Sequence, residues 1–282
     1  MSAVSPAPAS ETREASGRSL LPERLFVTAS FVVCVLGTLV GLGVIGDRVA
    51  ESSGGALAAD ATLLAPASRA FSIWSVIYVG LLAYTVWQWL PAAAPALRRW
   101  RIGWLAGASM LLNAAWLLVT QVGWLWFSVV VIAALALVLG LLLRRLTAVR
   151  SGAESGVRSG SAVGSLVVDG TFGLYLGWVS VATCANIAAA GAASGVTAGA
   201  CGDQVLAAIV VAVAAALGVV FAISFGGRLA VALAMGWGLA WIAVGRLTDE
   251  PASVLVGAVS VVAVLVVLGA AAVGRRRPVG VA

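Results

Sequence analysis

Residues 168–190 read VDGTFGLYLGWVSVATCANIAAA, and this stretch decides the fold of the chain. Its only charged residue is Asp169, next to its start. A helix of about 20 mostly apolar residues crosses the roughly 30 Å hydrocarbon core of a bilayer. Because a backbone inside lipid has no water to pair with, its N–H and C=O groups must pair with each other, and a helix achieves this within one segment. The stretch therefore predicts a transmembrane α-helix.

Seven further stretches of the same kind indicate a polytopic membrane protein. Hydrophobic residues make up 62% of the 282-residue chain and charged residues only 10%, against about 45–50% and 25% in a soluble domain. The apolar runs are continuous, unlike the alternating segments of a transmembrane β-barrel. We predict an all-α integral membrane bundle with about eight spans, at residues 25–45, 70–90, 104–122, 125–143, 168–190, 205–225, 229–245 and 252–273.

The basic residues predict the orientation of these spans. All 17 are arginine, and only Arg48, Arg69 and Arg246 fall on one side of the eight-span arrangement. The other side carries Arg13, Arg18, Arg24, Arg98, Arg99, Arg101, Arg144, Arg145, Arg150, Arg158, Arg228, Arg275, Arg276 and Arg277. Since arginine is in excess in cytoplasmic loops, we expect a multi-pass protein of the cell membrane, such as a bacterial inner membrane, with both termini cytoplasmic. These arginines flank apolar runs and form no patch with interleaved aromatics, so the net charge of +6 does not predict a nucleic-acid partner.

The ionisable residues argue against most catalytic and ion-coupled functions. The chain has three cysteines and no histidine, which excludes most zinc, haem-ligand and nucleophile–histidine schemes. We therefore expect no metal site, no catalytic residues and no obligatory cofactor. Ion-coupled transporters normally carry carboxylates within their spans, and here none is placed in the middle of a predicted span. Asp169 is interpreted as the N-cap of the fifth helix.

Aromatic and amide residues in three spans recur at helical spacing and form stripes. They are Phe71, Trp74 and Tyr78 in the second span, Asn113 and Trp116 in the third, and Tyr175, Trp178 and Asn186 in the fifth, with Thr183 beside the last stripe. A buried amide is costly in hydrocarbon unless it is hydrogen-bonded. The residues alone leave two interpretations open. The amides either bond across helix contacts, at about 0.6–2 kcal/mol each, or face a ligand.

Two further patterns concern packing. Gly37 with Gly41, and Gly173 with Gly177, have the spacing that permits two helices to approach closely. Tryptophans close to span ends are typical of an interfacial belt. The residues that we assign to this belt are Trp89, Trp100, Trp104, Trp124 and Trp126.

Three motifs, in this order, resemble the translocator protein (TspO) family, also called tryptophan-rich sensory proteins. The first is Pro66 followed by F-x-x-W-x-x-x-Y at residues 71–78, the second is N-x-x-W at 113–116, and the third is Y-L-x-W-x-x-x-x-T-x-x-N at 175–186. The resemblance covers roughly residues 25–190. It implies a five-helix bundle with a pocket beneath the first loop that binds tetrapyrroles such as porphyrins. It also implies that the stripe residues line or support this pocket. The sterol motif expected after the fifth helix lacks its tyrosine and basic residue, so no cholesterol site is predicted.

The resemblance suggests how the chain divides. Residues 1–24 are expected to be a disordered cytoplasmic N-terminus, 25–193 the five-helix bundle, 194–274 a three-helix membrane extension and 275–282 a basic cytoplasmic tail. Residues 46–69 form the first loop, whose apolar second half is expected to lie over the mouth of the bundle, and residues 147–164 are predicted to be a flexible linker. We expect the extension to pack beside the five-helix bundle without opening its pocket.

The resulting functional hypothesis is a sensory or regulatory membrane protein that binds a flat, tetrapyrrole-like hydrophobic ligand. Its expected partners are the lipid bilayer and this small molecule, and a homodimer is left open. The alternative is a transporter of a tetrapyrrole or another amphipathic small molecule. An enzyme is not expected, since porphyrin photochemistry enters only by analogy with the family.

Overall fold

The computed structural model describes residues 19–41, 49–151 and 162–276. Within these ranges, eight helices are long and apolar enough to cross a membrane. Their α-helical parts are α1 (Leu21–Gly41), α2 (Ile73–Trp87), α3 (Gly103–Gln121), α4 (Leu125–Ser151), α5 (Thr171–Ala193), α6 (Gly199–Ser224), α7 (Leu229–Thr248) and α8 (Val254–Gly274). The second span also includes the turn before α2 and runs from Ser68 to Trp87. The prediction of an eight-span all-α bundle is confirmed. Most of the predicted disordered N-terminus and of the basic tail lies outside the described residues.

Short helical segments join some of the long ones. A 3₁₀ turn, Ser68–Ser72, leads into α2, and a short helix, Ala94–Trp100, precedes α3. A helical turn at Ala162–Ser165 and a π-helical turn at Leu166–Gly170 lead into α5. Because α4 continues to Ser151 and helix resumes at Ala162, the linker predicted at 147–164 is shorter at both ends than expected.

The interpretation of Asp169 as an N-cap is wrong. Asp169 lies inside the π-helical turn, after the helix has already begun. Its carboxylate instead accepts hydrogen bonds from the guanidinium groups of Arg150 and Arg228. The ion pairs explain why a carboxylate is tolerated at this depth, because a buried charge needs a charged partner.

The helices pack in an order that the chain order does not suggest. α1 packs on α3, α3 on α4, and α4 on α5. α5 then packs on α7, α7 on α8 and α8 on α6, while α2 contacts α5 and α1. Helix α7 therefore makes the main contact that joins the last three helices to the first five.

Small residues permit the closest of these contacts. A Cβ added at Gly37 of α1 would lie 3.0 Å from the Cβ of Ala114 on α3. One added at Gly177 of α5 would overlap the carbonyl oxygen of Val231 on α7. Both predicted glycine pairs thus lie at helix contacts, and the pair in α5 faces the helix that holds the C-terminal unit.

Four of the five tryptophans assigned to the interfacial belt are exposed, as a belt requires, and the fifth is not. Trp89, Trp104, Trp124 and Trp126 are exposed on the surface of the bundle. Trp100 is buried and stacks on Trp87 with ring centroids 5.8 Å apart, so its assignment to the belt is wrong. The short helix Ala94–Trp100 ends at this residue and turns the indole towards the core instead of the lipid.

A candidate ligand pocket beneath the first loop

An apolar cavity of about 50 Å³ lies under the loop that precedes α2. We call residues 49–66 of this loop the roof. The roof contributes seven of the lining residues, which are Val49, Ala56, Leu57, Ala58, Thr62, Ala65 and Pro66. The walls come from the 3₁₀ turn, from α3 and from α5. Every lining residue precedes residue 194, so α6, α7 and α8 contribute none.

Aromatic rings from these elements meet beside the cavity. The ring of Trp74 stacks on that of Tyr78, with centroids 5.6 Å apart. It also meets Tyr175 and Trp178 edge-to-face, at 5.9 and 6.3 Å. The rings of Phe71 and Trp178 also meet edge-to-face, with centroids 5.8 Å apart. The stripes on α2 and α5 therefore face each other, as edge-to-face packing of aromatic rings favours.

The buried amides connect α3 to its neighbours. The indole N–H of Trp116 donates to Oδ1 of Asn186 over 2.9 Å, and Nδ2 of Asn186 donates to Oγ of Ser128 over 2.8 Å. Nδ2 of Asn113 donates to the hydroxyl of Tyr78 over 2.9 Å. Both amides therefore act as interhelical hydrogen-bonding groups, whatever further role they have.

The structure brings most of the predicted site residues together, at two different depths. Those that line the cavity are Phe71, Trp116, Trp178 and Asn186. Those that lie deeper, in contact with one another or with the lining rings, are Trp74, Tyr78, Asn113 and Tyr175. Thr183 belongs to neither set and donates to the carbonyl of Val179 in its own helix over 2.8 Å. The lining set and the supporting set thus come from the same stripes.

Two polar groups near the cavity have no hydrogen-bond partner among the described residues. They are the indole N–H of Trp178 and the hydroxyl of Thr62, and both residues line the cavity. Trp178 is only 1% exposed. A buried donor without a partner carries a desolvation cost of about 1–3 kcal/mol, which a ligand that accepts the hydrogen bond removes.

Sequence reasoning missed the residue that holds the roof in place. Arg246 of α7 is 1% exposed. Its guanidinium donates to the roof carbonyls of Ala59 and Thr62 over 3.1 and 3.2 Å, and to that of Pro251 over 2.7 Å. The available signal was its position, because it is one of the three arginines on the side opposite to the other basic residues.

The same helix also holds the turn that leads into α2. The indole N–H of Trp237 donates to the carbonyl of Ala70 over 2.9 Å, and the backbone N–H of Ala67 donates to the carbonyl of Trp241 over 3.1 Å. Helix α7 thus fixes both the roof and the start of the aromatic stripe on α2 without lining the cavity.

A family model described as TSPO-like protein matches residues 24–272. This chain belongs to the TSPO-like family. The match continues through α6, α7 and most of α8, so the C-terminal helices of this TSPO-like protein lie within the matched region and not beyond it. The chain has no significant match among curated proteins or among solved structures.

Proposed function

We propose that this TSPO-like membrane protein binds a flat, hydrophobic ligand of the tetrapyrrole class beneath its roof, in a sensory or regulatory role. The observation that supports this proposal is the composition of the cavity wall. Phe71, Trp116 and Trp178 come from three separate elements and line one apolar space. Aromatic faces stack on a flat macrocycle, and a few polar groups orient its edge.

The two unpartnered groups give such a ligand its polar contacts. The indole N–H of Trp178 donates and the hydroxyl of Thr62 donates or accepts. They belong to opposite walls of the cavity, one to α5 and the other to the roof. A ligand between them is therefore held on the α5 side by Trp178 and on the roof side by Thr62.

The size of the cavity determines how binding must occur. Pockets for drug-sized ligands usually enclose about 300–1,000 Å³, whereas this one encloses about 50 Å³. A tetrapyrrole is accommodated only if the roof moves outward, so the described conformation is the closed state of a pocket that the ligand opens. The helices beneath the roof are held by buried hydrogen bonds, and the roof is the part of the wall that is not a spanning helix.

The test is a titration of the purified full-length protein in detergent with protoporphyrin, followed by quenching of tryptophan fluorescence. Trp178→Ala is expected to weaken binding about tenfold or more, because one lost aromatic contact costs roughly 1–3 kcal/mol. The control is Trp124→Ala, since Trp124 is 62% exposed and does not line the cavity. Equal affinities for the two variants would contradict the proposal.

A second variant separates lost contacts from lost space. Ala185 lines the cavity, so Ala185→Leu adds volume there and retains every aromatic ring. We expect it to weaken binding as well. If both pocket variants bind like the parent protein, the aromatic residues serve packing alone.

Two further assays distinguish the sensory role from the alternatives. Movement of protoporphyrin across proteoliposomes that contain the protein would support a transporter. Light-dependent loss of protoporphyrin that requires Trp178 would support photochemistry. Binding with neither result is what a sensory or regulatory protein predicts.

A further inference from the structure

A second cavity, of about 490 Å³, opens at the other end of α5. We call it the basic cleft. Its walls are the end of α4, the π-helical turn before α5, the connection between α6 and α7, and the end of α8. About 25 Å of helix separates Asp169 in this cleft from Asn186 beneath the roof. The basic cleft is therefore a separate site from the candidate ligand pocket.

The charges of the basic cleft do not balance. Arg150, Arg228 and Arg275 line it together with a single carboxylate, that of Asp169. One oxygen of Asp169 pairs with Arg150 and the other with Arg228. Arg275 is exposed and forms no ion pair within the described part of the chain. The lining thus carries an excess of positive charge.

The most buried of these arginines has an unused donor. The side chain of Arg228 is only 7% exposed. One of its terminal nitrogens donates to Oγ1 of Thr147 over 3.0 Å, but its Nε has no partner among the described residues. Burial lowers the pKa of Arg228 to about 10, so the side chain remains charged at neutral pH.

The backbone of the basic cleft also favours an anion. Helix α7 begins at Leu229 and has no side-chain cap, and Leu229 lines the cleft. The first N–H groups of a helix point outward without internal partners and favour negative charge. Gly226 and Gly227 precede this helix with φ of 66° and 64°. A Cβ at Gly227 would overlap the backbone nitrogen of Arg275, so only a glycine here permits the end of α8 to lie this close to the start of α7.

We propose that the basic cleft binds the phosphate group of an anionic phospholipid. Guanidinium groups present their donors in a planar fork that matches phosphate oxygens. The cleft lies at the arginine-rich end of the bundle, where the positive-inside distribution places the cytoplasmic leaflet and its anionic lipids. Leu166 lines the cleft and is 74% exposed, which gives an acyl chain an apolar contact beside the charged group. These two features favour a lipid over a soluble phosphate.

The bound phosphate is expected to join four elements. Arg150, Arg228 and Arg275 come from the end of α4, the start of α7 and the end of α8, and Asp169 precedes α5. The existing ion pairs hold α4, α5 and α7, whereas α8 enters the charged cluster only through Arg275. A phosphate that contacts Arg275 and Arg228 extends the cluster to α8.

The experiment compares phosphatidylglycerol, phosphatidylcholine and inorganic phosphate, each added to the purified full-length protein in a zwitterionic detergent. Affinity is measured by native mass spectrometry and stabilisation by the midpoint of thermal unfolding. Arg275→Gln is expected to weaken phosphatidylglycerol binding about fivefold and to reduce the thermal shift. The control is Arg99→Gln, since Arg99 is exposed near the same end of the bundle and does not line the cleft.

The outcomes separate the source of the phosphate from the existence of the site. Phosphatidylglycerol binding that is stronger than phosphatidylcholine binding, and is lost selectively in Arg275→Gln, supports the proposal. The same thermal shift with millimolar inorganic phosphate alone, again dependent on Arg275, overturns the lipid as the source. Equal binding by Arg275→Gln and Arg99→Gln overturns the site, and because Arg275 is exposed, a folding defect does not obscure that result.

Discussion

The indole N–H of Trp116 and the side-chain oxygen of Asn186 form a 2.9 Å hydrogen bond that joins α3 to α5 directly beside the cavity. The amide nitrogen of Asn186 continues the connection to Ser128 of α4. One residue therefore couples three helices while it lines the space beneath the roof. Helix packing and the proposed ligand binding therefore both involve the side chain of Asn186.

Substitution of this asparagine is expected to destabilise the bundle. Asn186→Leu leaves both the indole of Trp116 and the hydroxyl of Ser128 without their partner. We expect a loss of about 1–2 kcal/mol in the free energy of unfolding, measured by thermal unfolding in detergent. Thr183→Val, one turn earlier on the same helix, is the control, because the Thr183 hydroxyl donates to the carbonyl of Val179 within its own helix. An equal loss of unfolding free energy in the two variants would show that the hydrogen bonds between Trp116, Asn186 and Ser128 do not stabilise the bundle.

Release of the roof is expected to make the pocket easier to open. Arg246→Met retains an apolar stem but removes the hydrogen bonds to Ala59 and Thr62. We expect faster proteolysis within residues 49–66 and faster association with protoporphyrin. The rate of cleavage is measured by limited proteolysis, and the rate of association by stopped-flow quenching of tryptophan fluorescence. Arg69→Met is the matched control on the same loop, since Arg69 is exposed. Unchanged rates in Arg246→Met would mean that the roof is held by other contacts.

The contact between α5 and α7 is expected to tolerate no added methyl group. Gly177→Ala places a Cβ against the carbonyl oxygen of Val231 and the Cβ of Ala234. Overpacking of this kind costs typically about 1–3 kcal/mol, seen as a lower unfolding midpoint. Gly140→Ala on α4 is the control, because a Cβ there meets nothing within 4 Å. A stable Gly177→Ala variant would indicate that α7 can shift away from α5 without loss.

The orientation of the bundle is tested by labelling. In a variant without native cysteines, Glu51→Cys on the roof and Ser155→Cys in the connection between α4 and α5 are expected to react from opposite sides of the membrane. Only Glu51→Cys should react with an impermeant maleimide added to intact cells. The arginine distribution is the physical reason. Labelling of both positions from one side would contradict the three spans, α2, α3 and α4, that lie between them.

The spanning helices were predictable from the sequence because the requirement for them is local. Each segment inside lipid must satisfy its own backbone groups, so each apolar run identifies a helix without reference to its neighbours. The stripes were predictable for a similar reason, since the helical period alone places Trp74 and Tyr78 on one face, and likewise Tyr175 and Trp178. The predictions for two residues failed because their positions depend on parts of the chain outside their own spanning helix. Trp100 is buried because the short helix before α3 directs its indole towards the core, where it stacks on Trp87. Asp169 does not cap a helix because its carboxylate pairs with Arg150 and Arg228.

The sequence by itself therefore determined the number of helices, the faces that carry aromatic residues and the two close-packing glycine pairs. Only the tertiary structure decided that Gly177 meets Val231 on α7, that Arg246 holds the roof and that the cavity beneath the roof measures about 50 Å³. Helices in lipid have no hydrophobic driving force that selects one partner over another, and the choice depends on steric fit and on buried hydrogen bonds between distant residues. Those contacts exist only after the helices have assembled, so no pattern within a single span reveals them.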